Sequence, residues 1–62
     1  MEYARSYEKF LRDKLNGMAT KEQKVAYLKE LMVVIDSDRN TNANTKFDEQ
    51  EVVSKLLNEN RG

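Results

Sequence analysis

The sequence predicts an all-α fold, an antiparallel helical hairpin followed by a short third helix, in one small domain spanning residues 1–62. Three observations predict it. Apolar residues recur at spacings of three and four in three stretches of the 62-residue chain, as they do on one face of a helix. Two of these stretches begin with a small polar residue followed three positions later by Gln or Glu, which is the pattern of a helix N-terminus. The connection between the first two stretches is short, which favours antiparallel packing.

The first helix is expected at about residues 2–16. Gly17 follows it, and glycine readily adopts the left-handed conformation that closes a helix C-terminus. The side chains of the apolar face are interpreted mainly as core, but two tyrosines near the chain end are also candidates for contact with a partner. The apolar face carries Tyr3, Tyr7, Phe10, Leu11, Leu15 and Met18. The opposite face carries Arg5, Lys9, Arg12 and Asp13.

The second helix, expected at residues 21–36, has the widest apolar surface of the three. Thr20 is its expected N-cap, and Gln23 completes a capping box. At ~100° per residue, its apolar side chains cover more of the circumference than a one-sided surface helix needs, so two neighbours must cover them. The face expected in the intramolecular core carries Val25, Leu28, Met32 and Ile35. The flank left for the third helix or for a partner carries Tyr27, Leu31 and Val34.

A polar loop is expected at residues 37–47, before a third helix at residues 48–59. Asp48 is the expected N-cap of this helix, Glu51 completes a capping box, and Phe47 is expected to pack onto the helix from outside it. The apolar stripe of the helix is about two turns long and consists of Val52, Val53, Leu56 and Leu57.

The polar loop resembles the calcium-binding loop of an EF-hand at three positions, because Asp36, Asp38 and Asn40 stand where that loop has its first, third and fifth residues. Thr41 replaces the glycine of the sharp turn, and Phe47 occupies the position of the bidentate glutamate. We therefore interpret the segment as a polar linker, and the sequence predicts no metal ligand.

The composition argues against an enzyme. The chain has no His and no Cys, which removes the most frequent general base and the most nucleophilic side chain. Its two glycines are Gly17 and Gly62, so it has no glycine-rich phosphate loop. The sequence therefore predicts no catalytic residue and no cofactor.

The function predicted from these observations is a small non-enzymatic module that binds another protein through helical surfaces, as a regulator, inhibitor or adaptor. A chain of this size is marginally stable alone, so a homodimer or a hetero-complex is expected. The sequence has neither a signal peptide nor an apolar run long enough for a membrane span, which predicts a cytoplasmic protein without membrane contact. The candidate partner-binding residues are Tyr3, Tyr7, Tyr27, Leu31 and Val34.

Two alternatives are left open. A dimeric regulator associated with nucleic acid would use the basic side of the first helix, formed by Arg5, Lys9 and Arg12. The 11 basic and 11 acidic residues cancel, so the strongly basic balance of many nucleic-acid-binding domains is absent. The second alternative is a structural or scaffolding subunit, whose helices would pack into a larger assembly.

Overall fold

The computed structural model describes residues 2–61, and over those residues it consists of three α-helices without a strand. Helix α1 is Glu2–Asn16, α2 is Lys21–Ser37 and α3 is Ala43–Arg61. The prediction of an all-α, three-helix domain is confirmed. Met1 and Gly62, the two ends of the predicted domain, lie outside the described residues.

Helix α2 begins where its capping pattern predicts. The Gln23 amide donates to the Thr20 hydroxyl oxygen at 3.1 Å, so Thr20 is the N-cap. The Gln23 side chain reaches back one residue further than in a standard capping box, because its Oε1 accepts from the Ala19 amide at 3.0 Å. Two amides at this end of the helix are thereby bonded to side chains. The helix ends at Ser37, one residue beyond the prediction.

Helix α1 has the predicted bounds but ends in a different way. Gly17 does not have a positive φ, so the prediction of a left-handed glycine is wrong. Instead, the Gly17 amide donates to the Lys14 carbonyl at 3.2 Å and the Met18 amide to the Leu15 carbonyl at 3.0 Å. These bonds span three residues, as in a 3₁₀ turn, and they satisfy carbonyls of the last helical turn. A left-handed residue is therefore not needed.

Helix α3 begins at Ala43 rather than at residue 48. Asn42 is its cap, since Asn42 Oδ1 accepts from the Thr45 amide at 2.8 Å and the Asn42 carbonyl accepts from the Lys46 amide at 3.0 Å. Asp48 lies inside the helix, so its prediction as the N-cap is wrong. Extending an existing helix by one residue costs less than forming a first turn. The helix therefore continues back to the earlier residue that can cap it.

Two further expectations for this helix are also wrong. Phe47 is inside α3 and 69% exposed, so it does not pack against the helix from outside. The helix continues to Arg61 rather than ending near residue 59. Its last turn is supported by Asn60, whose Nδ2 donates to the Leu56 carbonyl at 2.8 Å.

The connection between α2 and α3 is residues 38–42, shorter than the predicted loop at residues 37–47. Asp38 organises it, because its carboxylate accepts from the Thr41 hydroxyl and, at 2.9 Å, from the Asn40 amide. These bonds, the hydroxyl first, hold the pKa of Asp38 below its usual range;. The carboxylate that invited comparison with a calcium loop is therefore a turn-forming group.

Contacts between α1 and α3 show that these two helices run parallel. They join Tyr3 to Glu49, Glu8 to Lys55 and Arg12 to Glu59. The residue numbers rise together on both helices, which is possible only for parallel chains. The two residue numbers in each contact differ by 46 or 47, so the register of the two helices is nearly constant between Tyr3 and Arg12.

Helix α2 runs antiparallel to the other two. Met32, in its second half, shares a groove with Phe47 at the start of α3, whereas Val25, in its first half, shares a groove with Arg61 at the end of α3. The predicted antiparallel orientation of α1 and α2 follows from these two relationships.

The predicted pairing of the helices needs one correction. Helix α2 packs more closely against α3 than α1 does, and α1 and α2 make the weakest contact of the three pairs. Helix α3 faces the side of α2 that carries Val25 and Met32, and not the flank that the sequence leaves for the third helix or for a partner. The physical reason is length: α3 has 19 residues and α2 has 17, so their apolar sides match along most of both helices.

The core lies where the three helices meet. All of its buried side chains are aliphatic, and among the described residues no polar or charged residue is buried. Helices α1 and α2 contribute two of them each, and α3 contributes three. The buried residues are Leu11, Leu15, Leu28, Ile35, Val52, Val53 and Leu56.

Candidate interaction surface

The residues predicted to contact a partner fall into two environments. Tyr3 is 47% exposed and Val34 is 57% exposed. Tyr7, Tyr27 and Leu31 are half-buried and pack against the core. The predicted set therefore combines two exposed side chains with three half-buried ones.

Tyr3 and Tyr7 form the part of this surface on α1. Their rings stack, with centroids 6.1 Å apart and an interplanar angle of 15°. The Tyr3 hydroxyl donates to Glu49 Oε2 of α3 at 2.6 Å. This bond holds the first turn of α1 against α3 and fixes the orientation of the exposed ring.

Both phenols are neutral over the physiological pH range. The hydrogen bond to Glu49, followed by burial and by the charges of Glu49 and Asp48, raises the pKa of Tyr3 to about 12;. Burial, followed by the charge of Glu49 and by the neighbouring Tyr3 and Tyr27, raises the pKa of Tyr7 to about 12. The two rings therefore offer apolar area and a hydroxyl group without a charge.

Tyr27 and Val34 form the part of this surface on α2. At ~100° per residue, both lie more than a quarter-turn of the helix away from Met32, which faces α3 across a groove. They are therefore on the side of α2 away from α3. Tyr27 packs against the same core cluster as Tyr7, so the two helices approach each other here.

Phe10 belongs to the same surface, although the sequence predicts only that it lies on the apolar face of the first helix and not that it is exposed. It is 54% exposed, and Lys14 Nζ lies 5.1 Å from its ring centroid. Glu8 and Arg12 bind α3, and each lies ~200° around α1 from Phe10. Phe10 therefore points away from α3, at the outer edge of α1.

These positions define one surface, which we call the α1–α2 face. It lies along the weakest helix contact of the fold, and it combines three exposed large apolar side chains with three half-buried ones. Its members are Tyr3, Tyr7, Phe10, Tyr27, Leu31 and Val34.

The basic residues considered for nucleic acid are not a uniform basic stripe. Arg12 Nε donates to Glu8 Oε2 at 2.9 Å, and its guanidinium also binds Glu59. Arg5 and Lys9 share an open surface groove with Glu8, Arg12 and Asp13. Because carboxylates lie among these cations, the surface would repel part of a phosphate backbone.

The described part of the chain offers no built metal site and no membrane span. Among residues 2–61, no three acidic side chains are grouped as metal ligands. None of the helices formed by these residues combines the length and the apolar character that crossing a bilayer requires.

Comparison of the chain with known protein families, curated proteins and solved structures finds no match.

Proposed function

We propose that this chain is a non-enzymatic interaction module that binds another protein through the α1–α2 face, as a regulator, inhibitor or adaptor. One observation carries the proposal: Tyr3, Phe10 and Val34 expose 47%, 54% and 57% of their surface, on the sides of α1 and α2 where half-buried side chains pack against the core. Exposed apolar side chains that are grouped, rather than scattered, are typical of protein interaction sites.

The composition of the face supports a protein partner. Tyrosine and phenylalanine are enriched at the centres of protein interfaces, where they supply large contact area at a low cost in side-chain entropy. The phenols of Tyr3 and Tyr7 are neutral, so their burial does not require the removal of a charge from water. Two helices with half-buried residues between them are suited to a partner that presents the apolar side of a helix.

The weak contact between α1 and α2 supports the same proposal. Helix α1 is attached to α3 by ion pairs and to the core by Leu11 and Leu15. A partner could therefore separate α1 slightly from α2 without breaking the close packing of α2 with α3. This would enlarge the apolar area available to the partner.

The proposal is tested by capturing proteins on the immobilised chain and comparing two variants. The first carries Phe10→Ser and Val34→Ser, which remove exposed apolar groups of the α1–α2 face. The matched control carries Phe47→Ser, which removes an even more exposed ring from α3. All three positions are exposed, so circular dichroism should show that both variants keep the helical content and melting of the original chain.

We expect the double variant to lose the captured protein, or to bind it at least ~10-fold more weakly, since truncating an interface anchor costs ~1–2 kcal/mol. With the chains immobilised at a density too low for copies to pair, the Phe47→Ser control should bind as the original chain does. Equal binding by the original chain and the double variant would refute the proposal. Tyr27→Ala is less suitable for this experiment, because Tyr27 also packs against the core.

A further inference from the structure

A second apolar surface lies at the junction of α2 and α3, which we call the α2–α3 seam. At one end of the seam, Phe47 stands beside an open groove of about 510 Å³ that Met32 and Glu51 also line. Phe47 is 69% exposed, the highest value for a large apolar side chain in the described part of the protein. The α1–α2 face does not include this ring, so Phe47 is an exposed apolar side chain on a separate surface.

The other end of the seam contains a second groove, of about 530 Å³, with Val25 and Ala26 in its apolar lining. Three cations surround it, from Lys21, Lys29 and Arg61. A cavity of ~150 Å³ can hold a benzene ring. The volume of this open groove is therefore sufficient for a phenyl side chain.

The two grooves lie on one side of the protein. Val25 and Met32 are seven residues apart, which places them on the same side of α2 about two turns, or ~10 Å, apart. Helix α3 runs in the opposite direction, so its start borders one groove and its end borders the other. The seam thus has an end with an exposed ring and an end with an apolar groove.

The charges at the two ends are opposite. The groove end carries Lys21, Lys29 and Arg61 against one acid, Glu22. The ring end carries Glu51, one helical turn after Phe47;. Within residues 2–61, neither Glu51 nor any of the three cations takes part in an ion pair. These charges are therefore available to a molecule that docks on the seam.

We propose that the seam binds a second copy of this chain across a two-fold axis. The rotation places the ring end of each copy on the groove end of the other. Phe47 of each copy then enters the groove formed by Val25 and Ala26 of the other, and Glu51 of each copy lies near the cations. One surface carries both the ring and the complementary groove, as a two-fold interface requires.

This dimer would leave both α1–α2 faces exposed on its outer sides. Together with the proposed function, it gives an assembly with two binding sites, which increases apparent affinity for a partner that is itself dimeric or repeated. Only this consequence rests on the proposed function. The dimer itself depends on the seam alone.

Sedimentation or light scattering over a wide range of protein concentrations tests the dimer. We expect the mass of the original chain to rise from 7.3 kDa towards twice that value. Phe47→Ser removes the inserted ring and Ala26→Glu obstructs the groove with a carboxylate, so each variant should stay at the monomer mass over the same range. Phe10→Ser, on the α1–α2 face, is the matched control and should dimerise as the original chain does.

Three results would overturn the proposal. The first is that the original chain stays monomeric at every concentration. If Phe47→Ser then also abolishes capture of another protein, the seam binds that protein and not a second copy. The second is dimerisation of Phe47→Ser or of Ala26→Glu as strong as that of the original chain. The third is loss of the dimer in Phe10→Ser, which would assign the interface to the α1–α2 face. None of these results decides whether Phe10→Ser with Val34→Ser loses a captured partner, so the two proposals fail separately.

Discussion

Arg12 of α1 and Glu59 of α3 form a two-pronged ion pair, in which Nη1 to Oε1 and Nη2 to Oε2 are both 3.0 Å. Glu8 extends the pair, since it binds both Arg12 and the Nζ of Lys55, the latter at 3.2 Å. Four side chains of alternating charge therefore join α1 to α3. Because α1 contributes two buried leucines to the core, this network adds to its attachment.

Arg12→Gln and Glu59→Gln should each lower the melting temperature by a few degrees, because the pair is exposed but bidentate and part of a network. The double variant should lose little more than the larger single loss. Thermal melting followed by circular dichroism measures all three, and high salt should reduce the differences. A double loss equal to the sum of the single losses would show that the two side chains do not interact in solution.

Stability should fall in acid because of the same network. Hydrogen bonds from Arg12, together with one from Lys55 for Glu8, hold the pKa values of Glu8 and Glu59 below their usual range in the folded chain;. A carboxyl with a lowered folded pKa stabilises the fold above its unfolded pKa, and this contribution is lost as the pH falls through the folded value. We therefore expect the melting temperature to decrease below about pH 4.

The control for this pH dependence is the variant Glu8→Gln with Glu59→Gln. Its melting temperature should be lower than that of the original chain at neutral pH and should change less between neutral and acidic pH. Some acid sensitivity should persist, because the pKa of Asp38 is also lowered by its bonds in the turn before α3. An unchanged acid slope in the double variant would contradict the role of the network.

Helices α1 and α2 could be predicted closely because their signals are local. The apolar spacing, the Thr20 cap and the Gln23 side chain all act within a few residues. The start of α3 could not be predicted in this way, because Asn42 and Asp48 are both good cap residues. The choice between them depends on helix extension and packing, which the local pattern does not contain.

Asn42→Ala should destabilise the protein by ~1 kcal/mol, because it removes the side chain that accepts from the Thr45 amide;. Asp48→Ala should change stability by no more than ~0.5 kcal/mol, since Asp48 is not the helix cap. Urea denaturation of both variants, at a pH where the fold is stable, gives the comparison. If Asp48→Ala lowered the free energy of unfolding more than Asn42→Ala does, the helix would begin at residue 48 in solution.

Glu49→Gln should lower the pKa of Tyr3 from about 12 towards its ordinary value of 10.0, because the bond to Glu49 is the largest cause of the increase. The tyrosinate absorbance of a chain that also carries Tyr7→Phe and Tyr27→Phe reports Tyr3 alone. Glu51→Gln is the matched control, since Glu51 lies on the same helix and does not contact Tyr3. An unchanged titration in Glu49→Gln would show that the bond is not formed in solution.

The raised tyrosine pKa values also predict the alkaline limit of stability. A phenol whose folded pKa is raised stabilises the fold fully below its unfolded pKa, and the contribution disappears as the pH rises through the folded value. For Tyr3 and Tyr7 this interval is about pH 10 to about 12. The melting temperature should fall over that interval, and it should fall less in a chain with Tyr3→Phe and Tyr7→Phe.

The sequence places Tyr27, Leu31 and Val34 on one flank of α2, but it does not predict the exposure of Phe10. In an isolated helix, Phe10 lies within the apolar arc, beside Leu11, and is a reasonable core residue. The contacts of Glu8 and Arg12 with α3 turn α1 about its axis so that Phe10 points outward. Those contacts join residues 47 positions apart, and no local pattern indicates them.

Three substitutions that lead from the core face of α2 to its exposed flank should form a graded series. Leu28 is fully buried, Leu31 is half-buried and Val34 is 57% exposed. Leu28→Ala should cost ~2–5 kcal/mol through lost burial and a cavity, which approaches the ~3–5 kcal/mol that the core of such a small domain supplies. That variant should be largely unfolded at room temperature, Leu31→Ala should be intermediate, and Val34→Ala should lie within ~0.5 kcal/mol of the original chain.

Thermal and urea denaturation at low protein concentration measure this series without a contribution from association. If Val34→Ala were as destabilising as Leu31→Ala under these conditions, Val34 would be packed within the single chain and would not belong to an exposed face. If its cost appeared only at high protein concentration, Val34 would be buried between copies, and the dimer interface would lie on the α1–α2 face rather than on the α2–α3 seam.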